Sequence, residues 1–189
     1  PGFLYGLALS QFVGSMVVRL ADADLLPFQF TNLAETAQTY LKDLQNLLHQ
    51  RQDEVRERNQ EINEGVFAAV DDPKRPRPIP TVEDVPPAIN FAPIENAVTA
   101  LHQAADRYKA AAGRAESNPS VVRAVNAKLI QAEHQFIDEG GLPRRTWYRH
   151  LLYAPGFYTG YGVKTMPGVR EGIEQKRYDE AEREGSRVA

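Results

Sequence analysis

Apolar residues recur at helical spacing along most of the chain. Leu9, Val13, Met16, Val17 and Leu20 predict a first helix from about Phe3 to Ala23, ended by Leu25-Leu26-Pro27. Thr31 and Asn32, with Glu35 three residues after Asn32, form a capping-box-like start for a second. Its stripe is Leu33, Ala37, Tyr40, Leu41, Leu44, Leu47 and Leu48. From His49 to Glu64 the stripe thins to Val55 and Ile62, and the helix is expected to continue while projecting into solvent. A third helix begins near Pro93, uses Ile94, Val98, Leu101, Ala105, Tyr108 and Ala112, and closes at Gly113 and Ser117-Asn118. Asn118 caps a fourth, with Pro119 at its first position and a stripe of Val122, Val125, Leu129, Ala132 and Phe136 that stops at Gly140-Gly141. Pro167 opens a fifth segment, Val169 to about Arg183, whose few apolar residues are Val169, Ile173 and Tyr178. No strand-like alternation is visible. The expected fold class is all-α: an up-down four-helix bundle in a single domain over residues 1–189.

Two stretches break the helical pattern. Seven of the 13 prolines fall between Pro73 and Pro93, with Lys74, Arg75 and Arg77 among them and Glu83-Asp84 after. Such density favours extended polyproline II, so residues 71–92 read as a proline-rich insertion or linker, mobile or extended from about Asp71 to Pro87. Pro73 and Pro76 have the bare PxxP spacing of an SH3 ligand, but the flanking arginine suits neither binding orientation. The second break, Tyr148 to Gly168, holds Gly156, Gly160, Gly162, Gly168, Pro155 and Pro167. It also holds Tyr148, Tyr153, Phe157, Tyr158 and Tyr161. Glycine lets backbone bend sharply, and tyrosine offers flat apolar area with a hydroxyl at its tip, so this loop is the candidate functional segment.

Composition narrows the chemistry. A net charge of −3, with both signs interspersed, argues against nucleic acid, whose binders carry a basic face. There is no cysteine, hence no disulfide framework and no thiolate metal site. No apolar run approaches 18 residues, so nothing here is expected to span or contact a membrane. His49, His102 and His134 stand on helices without a second ligand at helical spacing, and no His-Glu-x-x-His occurs. His150, beside the loop, reads as structural. With Pro1 first and no initiator Met, the chain reads as a piece of a longer protein.

An ordered set of short pieces runs from the first helix to the fifth segment. They are Gln11-Phe-Val-Gly-Ser-Met-Val with Leu20-Ala21, Leu26-Pro27-Phe28, Phe136-Ile137-Asp138, Gly141-Leu142-Pro143, Tyr148-Arg-His, Tyr153-Ala-Pro, Tyr161 and Pro167-Gly168. On these the chain resembles the transferrin-receptor-like dimerisation domain, the C-terminal helical domain of the glutamate carboxypeptidase II family, which includes prostate-specific membrane antigen and the transferrin receptor. Residues Arg51 to Pro87 depart from the pattern as a longer second helix plus the proline-rich insertion.

The resemblance implies a parent with a zinc peptidase domain, an apical domain inserted in it, and this domain at the C-terminus. It implies a homodimer, partnered by the peptidase and apical domains. It implies two zinc ions and the catalytic residues in the peptidase part, so no cofactor, metal ligand or catalytic residue on this chain. It further implies an N-terminally membrane-anchored parent with this domain luminal or extracellular. In the family's carboxypeptidases the aromatic loop lines the substrate pocket, where a Lys-Tyr pair recognises a C-terminal glutamate. Here Tyr161 falls on the tyrosine and Gly160 on the lysine. Glycine offers at most a backbone N–H to a carboxylate, which puts strict glutamate specificity in question, and Lys164 is the nearest replacement. The expected function is homodimerisation and pocket lining in a zinc-dependent glutamate-carboxypeptidase-like peptidase. The alternative is the dimerisation domain of a non-catalytic receptor or sorting adaptor. Tyr153-Ala-Pro with Tyr161 favours the peptidase.

Overall fold

A computed structural model describes residues 2–72, 74–75, 77–115 and 118–189. They are mostly helical, with one small sheet. In chain order the elements are α1 (Leu4–Ala21), α2 (Phe30–Asn63), α3 (Val66–Ala69), α4 (Ala92–Ala115), α5 (Pro119–Ile130), a 3-10 turn (Glu133–Phe136), β1 (Tyr153–Pro155), β2 (Val163–Thr165), α6 (Pro167–Glu174) and α7 (Tyr178–Val188). The chain divides into two compact units, residues 1–35 with 100–135 and residues 36–99 with 136–189; α2 and α4 supply residues to both.

In the first unit, α1 forms where its periodicity predicts, but none of its residues is buried. Phe3, Leu4, Leu7, Phe12 and Val18 lie outside the predicted stripe and are as exposed as Leu9, Val13 and Met16 within it. Against the expectation that no apolar run approaches 18 residues, this helix is such a stretch, its few polar residues being Ser10, Gln11, Ser15 and Arg19. Its 18 residues have a mean hydropathy of 1.4, long and apolar enough to cross a membrane, a property that buried core helices and signal sequences share. After it, the Asn126 amide of α5 clamps the connection: its Oδ1 accepts from Leu26 N–H at 3.0 Å and its Nδ2 donates to the Asp24 carbonyl at 2.8 Å. Phe28 stacks on Phe30, and Phe30 meets Tyr108 edge-on at 5.2 Å, walling a cavity of about 430 Å³. The helix α2 starts at Phe30, ahead of the expected capping box, so Asn32 lies within it and bonds back to Gln29. Asn118 caps α5 as predicted, its Oδ1 accepting from the N–H groups of Ser120 and Val121. That helix ends at Ile130, short of Ala132 and Phe136, because the chain tightens into turns and the 3-10 segment. Gly113 lies inside α4 rather than ending it.

The second unit holds most of the core. Ala37, Leu41, Leu44 and Leu48 of α2, with Ile94 and Val98 of α4, are buried as their spacing predicts. They are joined by Phe91, Leu142, Leu152, Met166, Val169, Ile173 and Ala181. The proline-rich segment, expected to be mobile or extended from Asp71, begins instead with a turn, Arg75 N–H bonding to the Asp72 carbonyl at 2.9 Å and Arg77 N–H to the Asp71 carboxylate at 3.2 Å, and from Glu83 to Pro87 it is strapped to α2. Gln52, a buried residue on the stretch expected to be solvated, donates from Nε2 to the Pro86 carbonyl at 3.0 Å. Asn59 pairs with the backbone of Glu83 twice, donating to its carbonyl at 2.7 Å and accepting its N–H at 2.9 Å. The fit is geometric: from Gln52 to Asn59 the helix rises about 10 Å, and from Glu83 to Pro86 an extended chain spans about the same. The PxxP prolines, Pro73 and Pro76, lie outside the described residues.

The predicted fifth helix is two. Lys176 takes φ +58, and Arg177 N–H reaches the Gly172 carbonyl at 2.7 Å while Lys176 N–H reaches Ile173 at 3.2 Å. This is a Schellman ending, with lysine where glycine usually stands. The packing of α6 on α7 is close: a Cβ on Gly172 would sit 2.8 Å from the Ala181 Cβ. Gly172→Ala should therefore destabilise the protein by about 1–3 kcal/mol. Gly113→Ala, a helix-interior position with open space around it, should stabilise it by roughly 0.5–1 kcal/mol. Urea melts of the two variants beside wild type check both signs.

Candidate functional site

The aromatic loop contains a β-hairpin, although its residues show no strand-like alternation. Strand β1 pairs antiparallel with β2, Tyr153 opposite Thr165, Ala154 opposite Lys164 and Pro155 opposite Val163. Strands of three residues are too short to display period-two alternation, so tertiary contacts must hold them. The connecting turn closes when Gly156 N–H bonds to the Gly162 carbonyl at 2.9 Å and Gly162 N–H to the Thr159 carbonyl at 3.0 Å. Gly156 is required by close approach, since a Cβ there would lie 2.1 Å from Thr159 Oγ1. Gly160 is favoured differently, by φ +57, where a side chain is strained but not barred, as Arg144 and Lys176 show, and it has open space around it.

The hairpin base is held by a buried ion pair. Arg145 and Glu171 are only 3% and 4% exposed. Arg145 Nη2 lies 2.7 and 2.8 Å from the two Glu171 oxygens, and its Nη1 donates to the Pro155 carbonyl at the end of β1. Glu171 Oε1 also accepts the Phe157 N–H at 2.7 Å. One charged pair thus grips the chain on entry to the turn through both a carbonyl and an amide. The Arg145 guanidinium lies 5.5 Å from the Tyr148 ring centroid and 5.8 Å from that of Phe157. Arg144, in the left-handed region at φ +63, also lies 5.8 Å from the Phe157 ring and is paired to Glu180 at 2.7 Å. At the far side of the hairpin, Met166 N–H bonds to the Leu152 carbonyl at 2.7 Å, and Lys164 pairs with Glu174 of α6 at 2.6 Å.

A second polar knot supports the approach to the loop. Asp138 Oδ1 accepts the Gly140 N–H at 2.7 Å and Arg187 Nη2 of α7 at 2.8 Å, and the same guanidinium binds the Gly141 carbonyl at 3.0 Å. The Gly140 amide first, and Arg187 second, hold the Asp138 carboxyl below the usual carboxylate range. Gly141 has φ +63, and a Cβ there would meet the Thr146 carbonyl oxygen at 2.2 Å. The motif pieces Phe136-Ile137-Asp138 and Gly141-Leu142-Pro143 thus carry a load in the scaffold.

The two predicted site residues, Gly160 and Tyr161, stand together at the hairpin tip, where Tyr161 is fully exposed. Tyr158 is 80% exposed and meets Phe157 edge-on at 4.7 Å. Tyr153 is further back, its ring 4.1 Å from His150, whose Nδ1 accepts the Tyr153 N–H at 3.3 Å. Lys164, expected as a possible substitute cation, is turned instead to Glu174. Arg145 and Glu171 went unnoticed in the sequence. The available signal was a carboxylate set among Val169, Gly172 and Ile173, where an unpaired charge would be costly. Among the described residues no group of three His, Asp or Glu side chains gathers to hold a metal ion. His49, His102, His134 and His150 lie on α2, on α4, in the 3-10 turn and beside the hairpin respectively.

The family model described as transferrin receptor-like dimerisation domain matches residues 89–189. The chain is 27% identical over 177 residues to a probable glutamate carboxypeptidase of Arabidopsis thaliana, covering 94% of this chain and 21% of that protein. It is 28% identical over 177 residues to a probable glutamate carboxypeptidase of Arthroderma benhamiae, covering 92% of this chain and 20% of that protein. It is 34% identical over 64 residues to an inactive zinc metalloprotease of Schizosaccharomyces pombe, covering 34% of this chain and 8% of that protein. The chain therefore spans about a fifth of the length of the two carboxypeptidase relatives.

Glu171→Ala strands the Arg145 charge in the core and frees the Phe157 amide, and should cost roughly 3–5 kcal/mol in a denaturant melt. Arg145→Met combined with Glu171→Leu should recover much of that loss. Asp138 makes a separate, pH-dependent contribution. Its carboxyl has a lower pKa folded than unfolded, so the stabilisation is complete above the unfolded value near 3.8 and is lost as pH falls through the folded value. Asp138→Asn should therefore flatten the dependence of melting temperature on pH below about 4, relative to wild type.

Proposed function

Since the chain belongs to the transferrin receptor-like dimerisation domain family, we propose that it serves as the homodimerisation and pocket-lining domain of a zinc-dependent, glutamate-carboxypeptidase-like peptidase. The observation that carries the pocket-lining role is the hairpin: a tip of exposed aromatics around Gly160 and Tyr161, on a base clamped by a buried ion pair. Exposed aromatic area on a rigid mount suits a surface that meets a ligand or another chain rather than water. The likeness over nine-tenths of the chain to probable glutamate carboxypeptidases supports the enzyme class of the parent.

In this reading the two zinc ions and the reacting groups belong to a peptidase part outside these residues. The described residues do not fit a metal, because their histidines are dispersed and no acidic cluster faces them. What this chain supplies is position and shape. Arg145 and Glu171 fix where the turn emerges, and Gly160 and Tyr161 form its wall. The unburied apolar surface of α1 is the natural seat for the peptidase and apical parts or the second protomer. From the order and stripes of the long helices we also read an up-down bundle.

The second reading is a non-catalytic receptor or adaptor. The observation favouring it is the likeness to an inactive zinc metalloprotease, over a third of the chain. Hydrolysis separates the two. The full-length parent with zinc should cleave short peptides while the isolated chain with zinc should not, and the parent should sediment as a dimer. Metal-dependent hydrolysis by the isolated chain would refute the division of labour, and a zinc-loaded but inert parent would favour the receptor reading.

A further inference from the structure

The hairpin tip carries no side-chain cation of its own. Gly160 has no side chain, and the space around it is open. The basic groups around the neck of the hairpin are already paired, including Arg144 and Arg145, whose guanidinium groups lie 5.8 Å from the Phe157 ring. Lys164 is bound to Glu174 at 2.6 Å on the flank of α6, with both side chains about a quarter exposed. Arg144 is bound to Glu180 at 2.7 Å, and Arg149 to Glu139 at 2.7 Å. Arg145 is buried on Glu171 at 2.7 Å, and Arg170 donates to Thr165 at the base of β2, 3.1 Å from its hydroxyl. What the tip does present is apolar and flat: Tyr161 and Tyr158, with Val163 and the edge of Phe157 beside them.

We infer that this wall selects a substrate residue with a neutral, apolar side chain, aliphatic or aromatic, and disfavours an acidic one. The inference rests on the pocket-wall reading above. A carboxylate brought against the tip would give up water and gain at most the backbone N–H of Gly160 and a tyrosine hydroxyl, since the guanidinium groups beside Phe157 are already matched by Glu180 and Glu171. An apolar side chain loses nothing by the same move and covers tyrosine ring surface. Moving Lys164 to the tip would not remedy this, since it would leave Glu174 unpaired.

The test uses the full-length parent and two dipeptides with free amino groups, alanyl-leucine and alanyl-glutamate. Wild type should favour alanyl-leucine in kcat/KM by on the order of tenfold or more. Gly160→Lys, which places an ammonium at the open tip, should shift the ratio of the two substrates toward alanyl-glutamate by a similar factor, mostly through KM. Gly160→Ala carries the backbone change without the charge and should leave the ratio where it was. Tyr161→Ala should raise KM for alanyl-leucine roughly tenfold. A wild-type preference for alanyl-glutamate would overturn the inference while leaving the wall intact. If Gly160→Lys and Tyr161→Ala both left all constants unchanged, the wall reading itself would fall. A parent that hydrolyses neither dipeptide would remove both.

Discussion

The buried pair of Arg145 and Glu171 is the interaction on which the rest of the second unit depends. Taking two charges out of water is expensive, and attraction alone repays it only when the remaining donors and acceptors are also used. Here most of them are. The guanidinium binds both carboxylate oxygens and the Pro155 carbonyl, and the carboxylate takes the Phe157 amide as well. The arginine comes from the turn before the loop and the glutamate from the helix after it. The pair therefore closes the loop at its neck and leaves the tip free to be glycine-rich. Only Arg145 Nε meets no acceptor among the described residues.

The helix after the loop is organised from the same carboxylate outward. Helix α6 is short, yet nearly all of its residues are buried. It presents Glu171 and Glu174 toward the hairpin, and at its end Lys176 turns the chain and pairs with Glu83 of the proline-rich strap. Glu83 is in turn held through its backbone by Asn59. The strap is thus a fitted piece of this unit. Prolines suit it because polyproline backbone leaves its carbonyls free, and Gln52 uses two of them, those of Pro86 and Pro87.

Much of this was legible in the residues. The stripes of α2 and α4 and the Asn118-Pro119 start of α5 all carry their own local physics, and the matching pieces from Gln11 to Gly168 pointed to the family that the comparisons show. The failures share a cause. The break between α6 and α7 carries no glycine, because Lys176 accepts the left-handed turn that normally signals one. The hairpin has strands too short for a period, and the capping box at Asn32 lost to a helix that starts earlier. Each lies where partners far along the chain meet: Phe30 packs on Tyr108, Lys176 pairs with Glu83, and Arg145 with Glu171 clamps the hairpin.

Helix α1 marks the boundary between the two kinds of information. Its helicity is a property of its own residues and appeared as expected, whereas burial of its stripe depends on what lies against it, and among the described residues none of the helix is buried. Local residue chemistry sets which segments coil, where proline and glycine interrupt them, and that Gly160 stands beside Tyr161. That Lys164 is spent on Glu174, that Arg145 and Glu171 meet, and that Gln52 is buried rather than solvated all come from packing between distant segments. Periodicity and propensity act over a few residues. A charge is neutralised by whatever group the fold brings within 3 Å or so, and that group can lie anywhere in the chain.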